Sequence, residues 1–258
     1  MKNRASVLLI VVSGFLLSFD STGDKNAWKS IFNGKDLKGW KIKITGFPIG
    51  ENFGNTFRVA DGVLSIRYDQ YGDNFNNRFG ALYFDKKLKN FRLKLEYRFV
   101  EETAPGAPVW GFRDSGIQYL GQDPGTVGLN QQFPVCVEFN LHGGNGKVDR
   151  PTGELCTPGT LVEIKGKPNE NFCTVPEVKR TFHGDQWVTA EILIVDGKIT
   201  QFANGEEIMH GANARYDPKH DVGKKLLEQN SGVITEGFVS LQSNSHPIDF
   251  RNIEIMEN

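Results

Sequence analysis

The chain is short of several things that would direct a reading of function. It has no basic excess: 30 Lys and Arg stand against 31 Asp and Glu, a formal net charge of −1. Nothing in that balance argues for nucleic acid as a partner. Cysteine is scarce, with Cys136, Cys156 and Cys173 only, and their spacing fits no zinc motif. No H-E-x-x-H and no EF-hand loop occurs, so no metal ligands are assigned. Ser115 does not sit in G-x-S-x-G, which removes the nucleophile elbow. Helical patterning is confined to Asp221 to Gln229, where Gly223 weakens it.

Long apolar runs are also lacking. The run Val7 to Leu17, preceded by Lys2 and Arg4, falls short of the ~20 residues of a membrane span. Its layout is that of a secretory signal peptide, taken as residues 1–23. The remainder, 24–258, shows no linker, repeat or low-complexity tract and is expected to be one exported domain without an integral membrane span. Export permits a disulfide, and Cys156 with Cys173 are the candidates. The odd count leaves at least one thiol free.

What the chain does have is strands. Phe91, Leu93, Leu95, Tyr97 and Phe99 alternate with Arg92, Lys94, Glu96 and Arg98, one face for the core and one for water. Phe57 to Val59 and Val63 to Ile66 flank Asp61-Gly62 as a hairpin. Trp187 to Val195, Lys198 to Ala203 and Glu206 to His210, joined at Asp196-Gly197 and Asn204-Gly205, suggest a three-stranded meander. Phe238 to Ser243 and Ile248 to Ile255 supply closing strands. Many short strands with turn punctuation imply an all-β sandwich or barrel. Residues 67–79 and 143–180 remain irregular, and long irregular stretches in compact domains are usually binding loops or lids. Asp69, Asp73 and Asn74 would offer oxygen ligands to a loop-bound divalent cation; no other cofactor is indicated.

The candidate chemistry lies in Val135 to His142. Alternation places Val135, Val137, Phe139 and Leu141 on one face, and Cys136, Glu138, Asn140 and His142 on the other. The second face carries a carboxylate, an amide and an imidazole in a row and lacks Lys and Arg, the usual solvating residues. Glu138 and His142 are the expected proton carriers. Just upstream, Arg113, Asp114, Gln118 and Tyr119, with Trp110, suit a sugar: donors in a fork and aromatic faces. Asp114 and Gln118 share a face at period two. Gln242 to His246 form a polar loop whose Gln242 and His246 are expected to reach a groove at the sheet end. His183, His210 and His220 have no partners suggested by spacing.

Several of these segments carry a resemblance. Ile31-Phe32-Asn33-Gly34-Lys35-Asp36-Leu37-Lys38-Gly39-Trp40 resembles the opening signature of the 3-keto-disaccharide hydrolase domain family. Gly80-Ala81-Leu82-Tyr83, Asn90 to Arg98, Asp114-Ser115-Gly116-Ile117, Glu138-Phe139-Asn140, Asn204-Gly205 and Phe250-Arg251-Asn252-Ile253 follow in the family's order. Two positions depart from its usual pattern: Asp114 stands where Asn is common, and Asn140 where Gln is. The resemblance implies a concanavalin A-like jelly-roll sandwich of two antiparallel sheets with long loops. It also implies exported bacterial proteins acting on sugars oxidised at C3, by proton abstraction, elimination and hydration. Glu138 or His142 would then transfer protons, and Arg113 or Gln118 would bind the keto oxygen. The alternatives are a non-catalytic, lectin-like carbohydrate-binding domain and a structural protein of the cell envelope.

Overall fold

The computed structural model describes residues 27–230 and 232–257; the expected signal peptide, 1–23, lies outside them. Two antiparallel sheets stack face to face as a jelly-roll sandwich. One, here the site sheet, runs in the order Cys173–Thr174, Glu154–Cys156, Val137–His142, Asp114–Gly121, Phe238–Ser243, Gly80–Phe84, Trp40–Ile44. The other, the back sheet, runs Lys167–Asn169, Thr160–Ile164, Glu206–Tyr216, Lys198–Ala203, Val188–Val195, Phe91–Phe99, Ile248–Glu257, Val63–Ile66, Phe57–Ala60. Lys29–Ser30 pairs alongside Ile248–Glu257.

Alternation sets the layers. Phe91, Leu93, Leu95, Tyr97 and Phe99 are buried between the sheets. Arg92, Lys94 and Arg98 point outward and pair with Glu191, Glu254 and Asp249 on neighbouring strands. From the site sheet, Ile117, Val137, Phe139 and Leu141 complete the core. The three expected hairpin turns, Asp61-Gly62, Asp196-Gly197 and Asn204-Gly205, have positive φ at both residues, the twist that matches two right-handed strands. The helix Asp221–Gln229 forms as expected, with His220 Nδ1 accepting from the backbone N–H of Gly223. Gly223 is there for packing: a Cβ would stand 2.6 Å from the carbonyl oxygen of Gly159. Among the described residues no helix is long and apolar enough to cross a membrane.

The two irregular regions differ from expectation. Residues 67–79 are no open loop, because Tyr68, Tyr71, Phe75 and Phe79 are buried and packed ring on ring. Asp69 is paired with Arg58, and Asn74 Oδ1 accepts from the backbone N–H of Asn76. Residues 143–180 contain four strands of two to five residues, two in each sheet. Cys173 stands opposite Cys156 on neighbouring strands, and the two form a disulfide. Cys136 is a free, buried thiol.

Candidate active site

The floor of the site is written by strand register. Asp114 stands opposite His142, Gly116 opposite Asn140 and Gln118 opposite Glu138. On the other side Asn140 pairs with Glu154, and Glu138 with Cys156. All of these point away from the core, and with Gln242 and Asn244 they underlie a cavity of ≈ 330 Å³. Small-molecule sites are typically about 300–1,000 Å³. Trp110, Phe133, Pro158, Phe172, Arg150 and the disulfide make its walls. Trp110 lies parallel to Phe79, ring centres 5.6 Å apart, and remains half exposed.

Two carboxylates on this floor have opposite environments. Asp114 accepts from three donors: Asn244 Nδ2 at 2.6 Å, Arg150 Nη2 at 3.1 Å, and His142 Nε2 at 2.9 Å. Glu138 is 4% exposed, and its surroundings supply no cation among the described residues. Its one polar side-chain contact is a long one, 3.5 Å from Gln118 Nε2. Burial, and next the negative charge of Asp114, push its carboxyl up to about 8, against the smaller pull of Gln118. A carboxyl raised by burial and a like charge in a cavity is the hallmark of an acid–base group. The carboxylate has room only because residue 116 is glycine: a Cβ there would lie 2.1 Å from Glu138 Oε1.

His142 is fixed from both ends. Its Nδ1 is 3.2 Å from the carbonyl oxygen of Pro151 and its Nε2 faces Asp114. Nδ1 thus donates to a carbonyl, while Nε2 lies beside both a carboxylate and an amide. The Asn140 amide lies 3.1 Å from Nε2. Three buried amide oxygens of cavity-lining residues, Asn140 Oδ1, Gln242 Oε1 and Asn244 Oδ1, have no partner among the described residues. Buried polar atoms are nearly always bonded, so these acceptors suit the hydroxyl groups of a ligand. Glu154, Cys156 and Cys173 also approach one another, but both sulfurs are committed to the disulfide and offer no thiolate.

The expected site residues are not all brought together. Glu138, His142, Asp114, Asn140 and Gln242 line the cavity. Gln118 lies beneath, accepting from Ser240 Oγ at 2.8 Å, and touches Glu138 rather than the cavity. Tyr119 is a correction: the alternation that turns Gln118 out turns Tyr119 in, where its hydroxyl donates to Gln201 Oε1 of the back sheet. Arg113 is another. Its φ of 43° breaks the strand direction, and its guanidinium binds the Gly184 carbonyl oxygen and Asp185 outside the cavity. His246 is the third. The chain turns at Ser245, φ 84°, which wedges His246 between Phe99 and Phe112 with Nδ1 on Thr103. Burial first, then the Arg113 and Arg150 cations, hold it down to about 4, so it is neutral. Arg150 and Glu154 were missed, since they lie far along the chain from Asp114: Glu154 meets the floor through strand register, and Arg150 reaches it with a long side chain from a connection. Asn244 belongs to the polar loop already singled out, two residues from Gln242.

This geometry has relatives. A 3-keto-disaccharide hydrolase of Bacteroides thetaiotaomicron is 22% identical over 250 residues, covering 90% of this chain and 79% of that protein. A crystal structure from Parabacteroides distasonis, of a protein given the provisional name glycosyl hydrolase, matches with a TM-score of 0.55 at 20% identity, covering 90% of this chain and 95% of that one. A Bacillus subtilis protein of unknown function with a galectin-like fold matches with a TM-score of 0.54 at 10% identity, covering 90% and 94%. At such identities the two structures speak for the jelly-roll fold alone. The model of the 3-keto-alpha-glucoside-1,2-lyase-like domain matches residues 27–256, and the chain belongs to that family.

Proposed function

We propose that this protein cleaves glycosides whose sugar ring carries a ketone at C3, by eliminating the group on C1. The observation that carries the reading is the contrast on the floor: Glu138, buried and of raised basicity, beside Asp114, which is bound by Arg150, Asn244 and His142. A ketone at C3 acidifies the proton on C2. The Glu138 carboxylate takes that proton, and the C–H electron pair becomes an enolate across C2, C3 and the keto oxygen. The enolate collapses to a C1=C2 double bond, and the C1–O bond breaks. His142 delivers a proton to the departing oxygen. Water added across the double bond completes a net hydrolysis.

Arg113 is engaged elsewhere and Gln118 lies below the cavity. The amide N–H groups of Gln242 therefore take the place of electrophilic donor to the keto oxygen. The oxygens of Asn140 and Asn244 accept from ring hydroxyls. The disulfide suits an oxidising compartment and, with the charged and apolar N-terminal pattern, supports action after export.

The test incubates the protein with a disaccharide and its 3-keto form in deuterated water, followed by NMR. Sugar is expected to be released from the keto form alone, with deuterium entering at C2. Cleavage that retains the C2 proton would overturn the elimination. Binding of both forms without turnover would favour the lectin-like alternative, for which the exposed aromatic walls would then be the explanation.

A further inference from the structure

Exposed apolar side chains gather at one edge of the cavity. Val109, Trp110 and Val148 are 95, 50 and 59% exposed, and with Phe112, Asn145 and Arg150 they line a groove of ≈ 290 Å³. Trp110 and Arg150 also line the main cavity, so the groove adjoins it across these two side chains. Clustered exposed apolar groups next to a site mark a binding surface more than scattered ones do. A second groove leaves the cavity on the far side, past Phe133, Pro158 and Phe172. Its other lining is mostly polar: Gln131, Gln132, Lys219, His220 and Asp221, with Val222.

The proton donor distinguishes the two exits. Arg150 binds Asp114, and Asp114 binds His142, so the apolar groove opens at the end where the departing oxygen is protonated. From this we infer that the Val109–Trp110–Val148 groove holds the leaving group, and that the substrates are 3-keto-glycosides of alcohols bearing an aromatic ring. The inference rests on the elimination proposed above and adds the identity of the leaving group. An aromatic ring stacks on the face of Trp110 opposite Phe79, with Val109 and Val148 at its edges. A second sugar in the same place would set hydroxyl groups against two valines.

The experiment compares a 3-keto disaccharide with a 2-phenylethyl glucoside oxidised at C3. The sugar is the more acidic leaving alcohol, so a preference for the phenylethyl substrate would run against leaving-group acidity and report the groove. The phenylethyl substrate is expected to have kcat/KM higher by about tenfold, consistent with burying part of a ring. Val148→Asp and Val109→Asp should each remove most of that preference, lowering kcat/KM for the phenylethyl substrate far more than for the disaccharide. Equal or better use of the disaccharide, or variants that lower both substrates alike, would overturn the assignment. Loss of disaccharide turnover in Asp221→Ala would place the leaving group in the polar groove instead and overturn it too. Calorimetry with the unoxidised phenylethyl glucoside and an unoxidised disaccharide reads the groove without chemistry. Tighter phenylethyl binding that Val148→Asp weakens supports the inference, and equal affinities refute it. Absence of any turnover strikes the elimination, whereas calorimetry still judges the groove.

Discussion

Replacing Glu138 by glutamine should cripple turnover and stabilise the protein at the same time. Glutamine keeps the shape and the contact with Gln118 but cannot ionise. In the folded protein the Glu138 carboxyl is raised from 4.5 to about 8. Between those values the folded state holds a proton that the unfolded chain has released, so wild-type stability falls as pH rises through the window. At about 1.36 kcal/mol per unit, the penalty is ~1 kcal/mol at pH 5 and roughly 4 kcal/mol at pH 8. The glutamine variant is free of it. For a domain of this size about 1 kcal/mol corresponds to ~2–4 °C in Tm, so the gap between variant and wild type should widen by roughly 6–12 °C from pH 5 to pH 8. Thermal unfolding across that range, beside kcat on a 3-keto-glycoside, checks both halves. Loss of the base should cost about 10²–10⁴-fold in kcat. A Tm gap that stays constant from pH 5 to pH 8 would show that Glu138 titrates as an ordinary surface acid, and the reasoning from burial would fail.

Gly116→Ala should leave the fold intact, because its new Cβ meets the end of a flexible side chain; kcat/KM should fall by about 10²-fold as the carboxylate is displaced, and unchanged kinetics would contradict its placement. Asp114→Asn removes the negative charge that helps raise Glu138, so the rising limb of the pH–kcat/KM profile should move to lower pH, with a lower plateau because His142 loses its carboxylate; an unmoved limb would uncouple the two acids. Cys156→Ser should cost ~3 kcal/mol for a closed loop of this length and raise KM more than it lowers kcat, since Phe172 and the wall it belongs to are released; reductant should reproduce the effect on the wild type but not on the variant.

Much of this was legible because alternation is a local signal. The outward charges of Phe91–Phe99 and the outward Glu138, Asn140 and His142 follow from counting by two. The same count, applied strictly, turns Tyr119 inward with Ile117; a tyrosine hydroxyl suits a sugar site, but it also suits a core that offers Gln201. Arg113 and His246 escaped because each sits at a left-handed residue or next to one, where alternation no longer holds. The four strands of residues 143–180 are too short to show a period, so the pairing of Glu154 with Asn140 and the reach of Arg150 to Asp114 leave no trace in the one-dimensional pattern.

The floor and the walls of the cavity are built differently. Glu138, Asp114, Gly116 and His142 are tied together by the register of two central strands, and a slip of one residue would send the whole row into the core. Much of the wall comes from connections, around residues 109–112 and 145–150 and at Phe133, Pro158 and Phe172, which tolerate insertion and exchange far better. Reaction and substrate range can therefore drift separately: descendants or engineered variants can acquire new leaving groups by rewriting the connections, while the acid–base row passes on as a unit.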